Sequence, residues 1–317
     1  MRIEKNMDSR DGISKSGKVT SGMGDEKRLG IVLVTATYIM WGCLPVFWKT
    51  LEAVPAVYIL CARVVWSLGF CVVYLTVRRK WERIREILKD RWLVLRCGIC
   101  GVVVCINWGS YIWAVNNGHL LDSSFGYYMN PILVVVLGVL CFRERLSIRE
   151  WTAVGLSAAG VLYLVVRSGT VPVLAMVIGG SFAVYGMIKK GLPLGSDESL
   201  FLETLLVSPV TLGYMIYAEM NGMGAGGILH GMQWGLLPLA GIITAFPLLV
   251  YTAGVKKIPF YLTGILMYLN PTIQFLMGIF LFKEAVNVDK IISFVFIWAG
   301  VLLMIIKSGV GNDRKQA

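Results

Sequence analysis

Histidine is almost missing from this chain of 317 residues, which has only His119 and His230. Charge is scarce, at 15% of residues, and acids are fewer than bases, 19 against 30. No His-Glu-x-x-His, Gly-x-Ser-x-Gly or phosphate-loop sequence occurs. Those gaps remove the usual sources of a nucleophile, a general base or a bound nucleotide. The chain therefore reads as neither an enzyme nor an ATP-driven pump, with no metal and no cofactor expected. Its seven cysteines fall in or beside apolar runs and read as small packing residues. Cys97-x-x-Cys100 has no histidine or carboxylate near it in sequence, so a redox or metal role has little support. The net charge is +11, yet the basic residues lie between apolar runs, which makes them topology determinants and not a nucleic-acid surface.

What is there is apolar. Hydrophobic residues make up 56% of the chain and mean hydropathy is +0.70, the composition of a polytopic membrane protein. One bilayer crossing needs about 20 mostly apolar residues. Runs of that kind are read at Leu29 to Trp48, Val57 to Val77, Trp92 to Val115, Asp122 to Phe142 and Arg149 to Val166. Five more follow at Pro172 to Ile188, Ser199 to Ala218, Met232 to Val255, Phe260 to Phe282 and Val288 to Ile306. Residues 1–28 are polar and read as a disordered cytoplasmic tail. Within Arg78 to Arg91, the spacing of Trp81, Ile84, Ile87 and Leu88 predicts a short amphipathic helix on the membrane surface.

One stretch occurs twice. Tyr128, Asn130, Pro131, Gly138, Phe142 and Glu144 recur 140 residues later as Tyr268, Asn270, Pro271, Gly278, Phe282 and Glu284. Six identities in register indicate an internal duplication. Placing the N-terminus inside puts twenty-four of the thirty Lys and Arg on the inner side and three on the outer, so both termini are expected in the cytoplasm. Five spans per copy then force the copies to be inverted relative to one another. The expected fold is all-α and polytopic, ten transmembrane helices in two inverted five-helix repeats. The repeats cover residues 29–167 and 172–307, with a cytoplasmic tail at 308–317. Inverted repeats mark secondary transporters, whose sites lie near the midplane between the halves.

Arg63 lies inside the second run, and the offset of 140 pairs it with Glu203 inside the seventh. A charge at the bilayer centre costs about 2.5–3.5 kcal/mol on insertion scales, so both should face the bundle interior or a water-filled cavity. A structural ion pair between them, a substrate or gating role, and snorkelling are the open readings. Asn107, Trp108 and Tyr111 share one helical face by their spacing of three and four. Trp41, Tyr128, Tyr185, Tyr268 and Gln274 add polar-tipped groups at mid-span depth. A cavity walled by such rings suits amphipathic or aromatic small molecules, although aromatic core and interface belts use the same residues. Lys49 closes the first run and either snorkels outward or meets substrate. The prolines at 131 and 271 remove a helix hydrogen bond each, and Asn130 and Asn270 are placed to satisfy the freed groups. Asp122 with Ser123 and Ser124 reads as a helix N-cap. Glu144 and Glu284 end their runs and are expected to pin helix ends through basic neighbours.

The residues resemble the EamA-type branch of the drug/metabolite transporter superfamily, in particular the RarD proteins. The matching stretches are Tyr38-Ile39-Met40-Trp41-Gly42 with Pro45 and Trp48-Lys49, Arg63 with Trp66-Ser67, and Asn107-Trp108 with Tyr111. Gly118-His119, Gly126-Tyr127 with Asn130-Pro131, Glu203-Thr204, Thr244 with Pro247, and Tyr268 with Pro271-Thr272 continue the pattern. It covers about Gly30 to Lys307. The resemblance implies ten helices, two EamA repeats and a plasma-membrane permease of bacterial type. Met267 departs from the pattern, since similar proteins often carry Gln before that Tyr, and Asn270 stands where small residues are common. The family name, given for chloramphenicol sensitivity, does not settle the native cargo.

The sequence therefore reads as a cell-membrane secondary transporter of a small organic metabolite or drug, working by alternating access. Arg63 would attract an anionic or amphipathic substrate, with Trp41, Asn107, Trp108, Tyr111, Tyr128, Tyr268 and Gln274 lining the path. Glu203, Lys49 and the Asn130-Pro131 and Asn270-Pro271 kinks would gate or couple. Proton coupling through Glu203 and simple facilitation remain alternatives. The rival class is a membrane-embedded sensor or scaffold that moves nothing. Direction of transport and oligomeric state are not readable; Gly155, Ala159, Ala299 and Gly300 suit packing within or between subunits.

Overall fold

The computed structural model describes residues 11–142, 148–169, 171–255, 257–258 and 266–310. Its elements are helical: α1 (Asp11–Lys49), α2 (Ala56–Val77), α3 (Trp81–Leu88), α4 (Arg91–Asn116), α5 (Leu120–Phe142) and α6 (Ile148–Ser168). Then come α7 (Val173–Lys190), α8 (Ser196–Met220), a 3₁₀ turn (Gly231–Gly235), α9 (Leu236–Val255), α10 (Leu269–Phe280) and α11 (Val288–Val310). Among the described residues, five stretches are long and apolar enough to cross a membrane: Asp25–Lys49, Ala56–Val77, Arg91–Asn116, Ser196–Met220 and Gly231–Tyr251. Trp151–Arg167, Val173–Lys189 and Leu269–Phe280 are apolar but shorter. Helix α1 begins at Asp11, ahead of the expected start at Leu29, because the polar turns before the apolar stretch continue the same helix.

Local chemistry sets the helix ends. Asp90 opens α4, its carboxylate accepting the backbone N–H of Trp92 at 3.0 Å and of Leu93 at 3.1 Å. Pro55 precedes α2, and Glu198 folds back onto the N–H of Gly195 at the start of α8. The surface helix α3 forms as its spacing predicts. Ile84 and Ile87 are buried, Leu88 is half exposed, and Trp81 meets Phe201 edge-on at 5.5 Å.

The start of α5 departs from expectation. The helix begins at Leu120, so Asp122 sits in its first turn and not at its cap. Asp122 instead pairs with His119 and with Lys290. The cap comes from the far half of the chain: Glu284 accepts the N–H of Leu120 at 2.8 Å and of Leu121 at 2.9 Å. Glu284 thus pins a helix end through backbone amides and not through a basic neighbour, since first-turn N–H groups have no partner inside their own helix. Glu144 lies outside the described residues.

Packing follows the offset of 140 residues. Helix α1 packs on α9 and α10, α2 on α8 and α9, α4 on α7 and α8, α5 on α7 and α10, and α6 on α11. Shifting by 140 turns the α1–α9 contact into α7–α4, the α2–α9 contact into α8–α4, and the α5–α7 contact into α10–α1. Glycines repeat the relation at atomic scale. A Cβ on Gly101 would stand 2.7 Å from the Glu203 carbonyl oxygen, and one on Gly241 would stand 2.6 Å from the Ser67 nitrogen. On α6 and α11, a Cβ on Gly160 would lie 2.8 Å from the Ser293 carbonyl, and one on Gly300 would lie 2.7 Å from that of Ala153. Each pair of helices can approach this closely only because these positions lack a side chain. Gly300 thus serves packing within the chain, whereas a Cβ on Gly155 would meet nothing within 4 Å.

Candidate functional site

Arg63 projects from α2 into the interior and is only 5% exposed. Its Nε donates to the Thr244 hydroxyl of α9 at 2.7 Å, and Thr244 donates in turn to the Ala240 carbonyl. The guanidinium lies over the Trp108 ring, 3.9 Å from its centroid, and 5.1 Å from that of Trp48. Attraction between the cation and the negative ring face stabilises this placement by about 2 kcal/mol when desolvated. Nη1 has no hydrogen-bond partner among the described residues, and neither does the buried Tyr111 hydroxyl or the Trp48 indole N–H. No carboxylate pairs with Arg63 among the described residues. The Tyr111 and Tyr127 rings meet edge-on at 5.7 Å. Tyr127 donates to the Asn107 side-chain oxygen at 3.3 Å, and the Asn107 amide donates to the Ile178 carbonyl and the Ser181 hydroxyl of α7. A buried cation with an uncommitted N–H, beside two more uncommitted donors, can receive an anion.

Glu203 is also buried, at 1% exposure, but Arg63 is not its partner. Lys189 of α7 reaches its Oε1 at 2.6 Å, and the Ser199 hydroxyl donates to the same oxygen. Tyr185 donates to Oε2 at 3.1 Å, and the Lys189 ammonium lies 5.3 Å from the Tyr185 ring centre. The direct ion pair between Arg63 and Glu203 that sequence allowed is therefore absent; each charge has its own surroundings. By sequence alone Lys189, just past the run ending at Ile188, counts among the twenty-four inner-side basic residues. The signal that could have found it is the offset, because Lys189 is the counterpart of Lys49.

The other anticipated residues fall in separate places. Trp41 packs with Tyr38 and Tyr251 at 5.7 Å each, on the α1–α9 contact. Tyr128 and Tyr268 stack at 6.4 Å beside Phe294, and the Tyr128 hydroxyl meets that of Thr272 at 2.6 Å. Gln274 donates to the Asn270 side-chain oxygen at 2.7 Å, while its own oxygen has no partner among the described residues. Lys49 pairs with Glu52 at the partly exposed end of α1. Asn130 donates to the Gly179 carbonyl of α7 at 3.1 Å. Among the described residues neither asparagine bridges the carbonyl four residues before its proline: Asn130 turns to α7, and Asn270 accepts from Gln274 one turn on. Pro271 lies in the first turn of α10, just after a break at Tyr268, where a missing N–H costs little. Sequence reasoning had singled out Arg63, Asn107, Trp108 and Tyr111, which the fold brings together. It left Trp48, Tyr127 and Thr244 without a role, although all three lie in stretches that carried the resemblance.

A second feature adjoins this site. A groove of about 300 Å³ runs between α1 and α9, walled by Met40, Cys43, Leu44 and Phe47 on one side and by Ile243 and Phe246 on the other. Leu44, Phe47 and Ile243 pack directly against the core cluster that contains Trp48 and Tyr111.

The sequence pattern of the EamA-like transporter family matches residues 28–166. The chain is 39% identical to "Uncharacterized transporter YojE" of Bacillus subtilis, over 88% of this chain and 94% of that one. It is 37% identical to "Protein RarD" of Streptomyces exfoliatus, over 88% and 89% of the two chains. Against "Protein RarD" of Escherichia coli the identity is 32%, over 88% and 95%. One solved crystal structure shares the fold, with a TM-score of 0.59 at 16% identity over 87% of this chain and 97% of that one.

Proposed function

The chain belongs to the EamA-like transporter family, with bacterial relatives named RarD, and from that premise we propose that it moves a small organic anion across the cell membrane by alternating access. The observation that carries the reading is Arg63: a buried cation with a free N–H and no acid of its own among the described residues. Glu203 is neutralised by the partly exposed Lys189, so Arg63, Glu203 and Lys189 together keep a formal charge of plus one. One monoanion would cancel it, which lowers the cost of holding the cation in a low-dielectric interior.

The path would run between two inverted repeats, residues 29–167 and 172–307, with both termini cytoplasmic. The exchange of helix contacts under the offset of 140 supports that arrangement, and so do the matched glycine contacts of Gly160 with Gly300 and Gly101 with Gly241. Asn107, Trp108, Tyr111 and Tyr127 would surround the cargo at Arg63, with Trp48 alongside. Tyr128, Tyr268, Gln274 and Trp41 would line the route as the repeats rock. The prolines at 131 and 271, the second just after the break at Tyr268, would let α5 and α10 bend, while Lys49 and the Lys189–Glu203 pair would close opposite ends. Glu203 is the group on which proton coupling would act.

The test is counterflow in liposomes. Ligands would first be found by thermal shift across amino acids, organic acids, nucleosides and amphenicols. Exchange of an anionic hit through the wild-type protein, lost in Arg63→Gln at normal insertion, is the expected result. A stabilising ligand that never crosses would favour a sensor, and exchange that survives both Arg63→Gln and Glu203→Gln would sink the charged part of the reading.

A further inference from the structure

We propose that the groove between α1 and α9 is a lateral entry and tail pocket, through which an amphipathic monocarboxylate reaches Arg63 from the bilayer. The inference rests on the anion reading of Arg63 and names the cargo more closely. Three observations point the same way. The groove is apolar along both walls and opens beside half-exposed Ile242 and Phe246, side chains suited to lipid contact. Its inner wall is the outer wall of the charged site: Phe47 meets Trp48 edge-on at 5.0 Å, and Ile243 is followed in α9 by Thr244, which holds Arg63. Last, Leu44, Phe47 and Ile243 of the groove pack against the core cluster that holds Tyr111 with its hydroxyl. That hydroxyl has no partner among the described residues.

An occupant of this path needs a charged head and an uncharged tail. Arg63 Nη1 and the Tyr111 hydroxyl offer two donors, which match the two oxygens of a carboxylate. The groove offers only apolar contact, so a second charge on the tail would lose its hydration without gaining a partner. Its volume of about 300 Å³ equals that of roughly ten water molecules at ~30 Å³ each, room for an alkyl or aryl tail. A medium-chain or aryl-alkyl carboxylate has that size. A dicarboxylate, a sugar or a cation does not fit the chemistry.

Cys43 supplies the readout. It is exposed and lines the groove, whereas Cys61, Cys71, Cys97 and Cys100 are buried and Cys105 is half-buried. The full chain would be placed in phosphatidylcholine liposomes and alkylated with N-cyclohexylmaleimide, with Cys43→Ser giving the background from other thiols. Decanoate is expected to slow Cys43 alkylation several-fold, while acetate and methyl decanoate leave it unchanged. Equal slowing by methyl decanoate would mean that the groove only takes up lipid-like chains, and the proposal fails. Absence of slowing by decanoate overturns it as well. Counterflow of benzoate in the same liposomes separates the two levels. If benzoate exchanges through the wild type but not through Arg63→Gln, and decanoate leaves Cys43 untouched, the groove inference alone falls. If benzoate does not exchange, the anion reading beneath it falls too.

Discussion

Lys189 neutralises Glu203 across the α7–α8 contact, with 2.6 Å between its ammonium and the carboxylate. Removing the lysine leaves the Glu203 charge buried alone, which costs about 3 kcal/mol or more, whereas removing both costs far less. Lys189→Met should melt well below the wild type in thermal unfolding, and Glu203→Gln, which leaves a partly exposed ammonium, should lose less. The double variant should melt above Lys189→Met. Additive losses would show that the two side chains do not depend on one another.

The cap on α5 can be tested at a distance from any transport assay. Glu284→Ala removes both acceptors from Leu120 and Leu121, at a cost of about 1–2 kcal/mol. Hydrogen exchange at the first turn of α5 should accelerate. Glu284→Gln keeps one strong acceptor and should fall between Ala and wild type. Unchanged exchange in the Ala variant would remove Glu284 from this role.

Glycine contacts on α6 and α11 make matched predictions. Gly160→Ala and Gly300→Ala both push a methyl against backbone, so each should destabilise by about 1–3 kcal/mol. Gly155→Ala, with nothing within 4 Å of its new methyl, should be neutral or slightly stabilising. Thermal melts of the three variants in one detergent would decide it. Equal behaviour at all three positions would contradict the described packing.

Thr244 positions Arg63 without being a charge itself. Thr244→Val keeps the shape but leaves Nε without its acceptor, a loss of about 1 kcal/mol, or roughly fivefold in apparent substrate affinity. Thr244→Ser keeps the hydroxyl and should rescue binding. A Val variant with unchanged counterflow affinity would show that Arg63 holds its pose through Trp108 and Trp48 alone.

Much of this was legible in the sequence because it depends on local pattern. Apolar runs, the amphipathic spacing of Trp81 to Leu88, and the offset that joins Arg63 to Glu203 are all one-dimensional signals. The cluster of Arg63, Asn107, Trp108 and Tyr111 was legible for the same reason, since helical spacing sets three of its members on one face. What failed was everything that needs the relative register of two helices. Sequence gave Asp122 the cap on α5, but Glu284 arrives from the other half and displaces it. It left Lys189 among the loop charges, yet a helix running on to Lys190 carries that ammonium within reach of Glu203. It set Asn130 to mend a proline gap, while Gly126 and Gly179 let α7 approach so closely that the Gly179 carbonyl takes the amide instead. Trp41, Tyr128 and Tyr268 were grouped with Arg63 by depth alone, and depth does not specify which side of a helix faces which neighbour.

Arg63 and Glu203 stand at equivalent places with opposite signs, and this bears on why the two halves share one chain. Two identical half-length subunits could put only the same residue at both places, arginine twice or glutamate twice. Tethering the halves allows each copy to change alone: one keeps an open cation, and the other holds an acid already matched by its own lysine. The asymmetry also gives the interior a polarity that a homodimer could not have, with an open cation at one place and a matched acid at its counterpart.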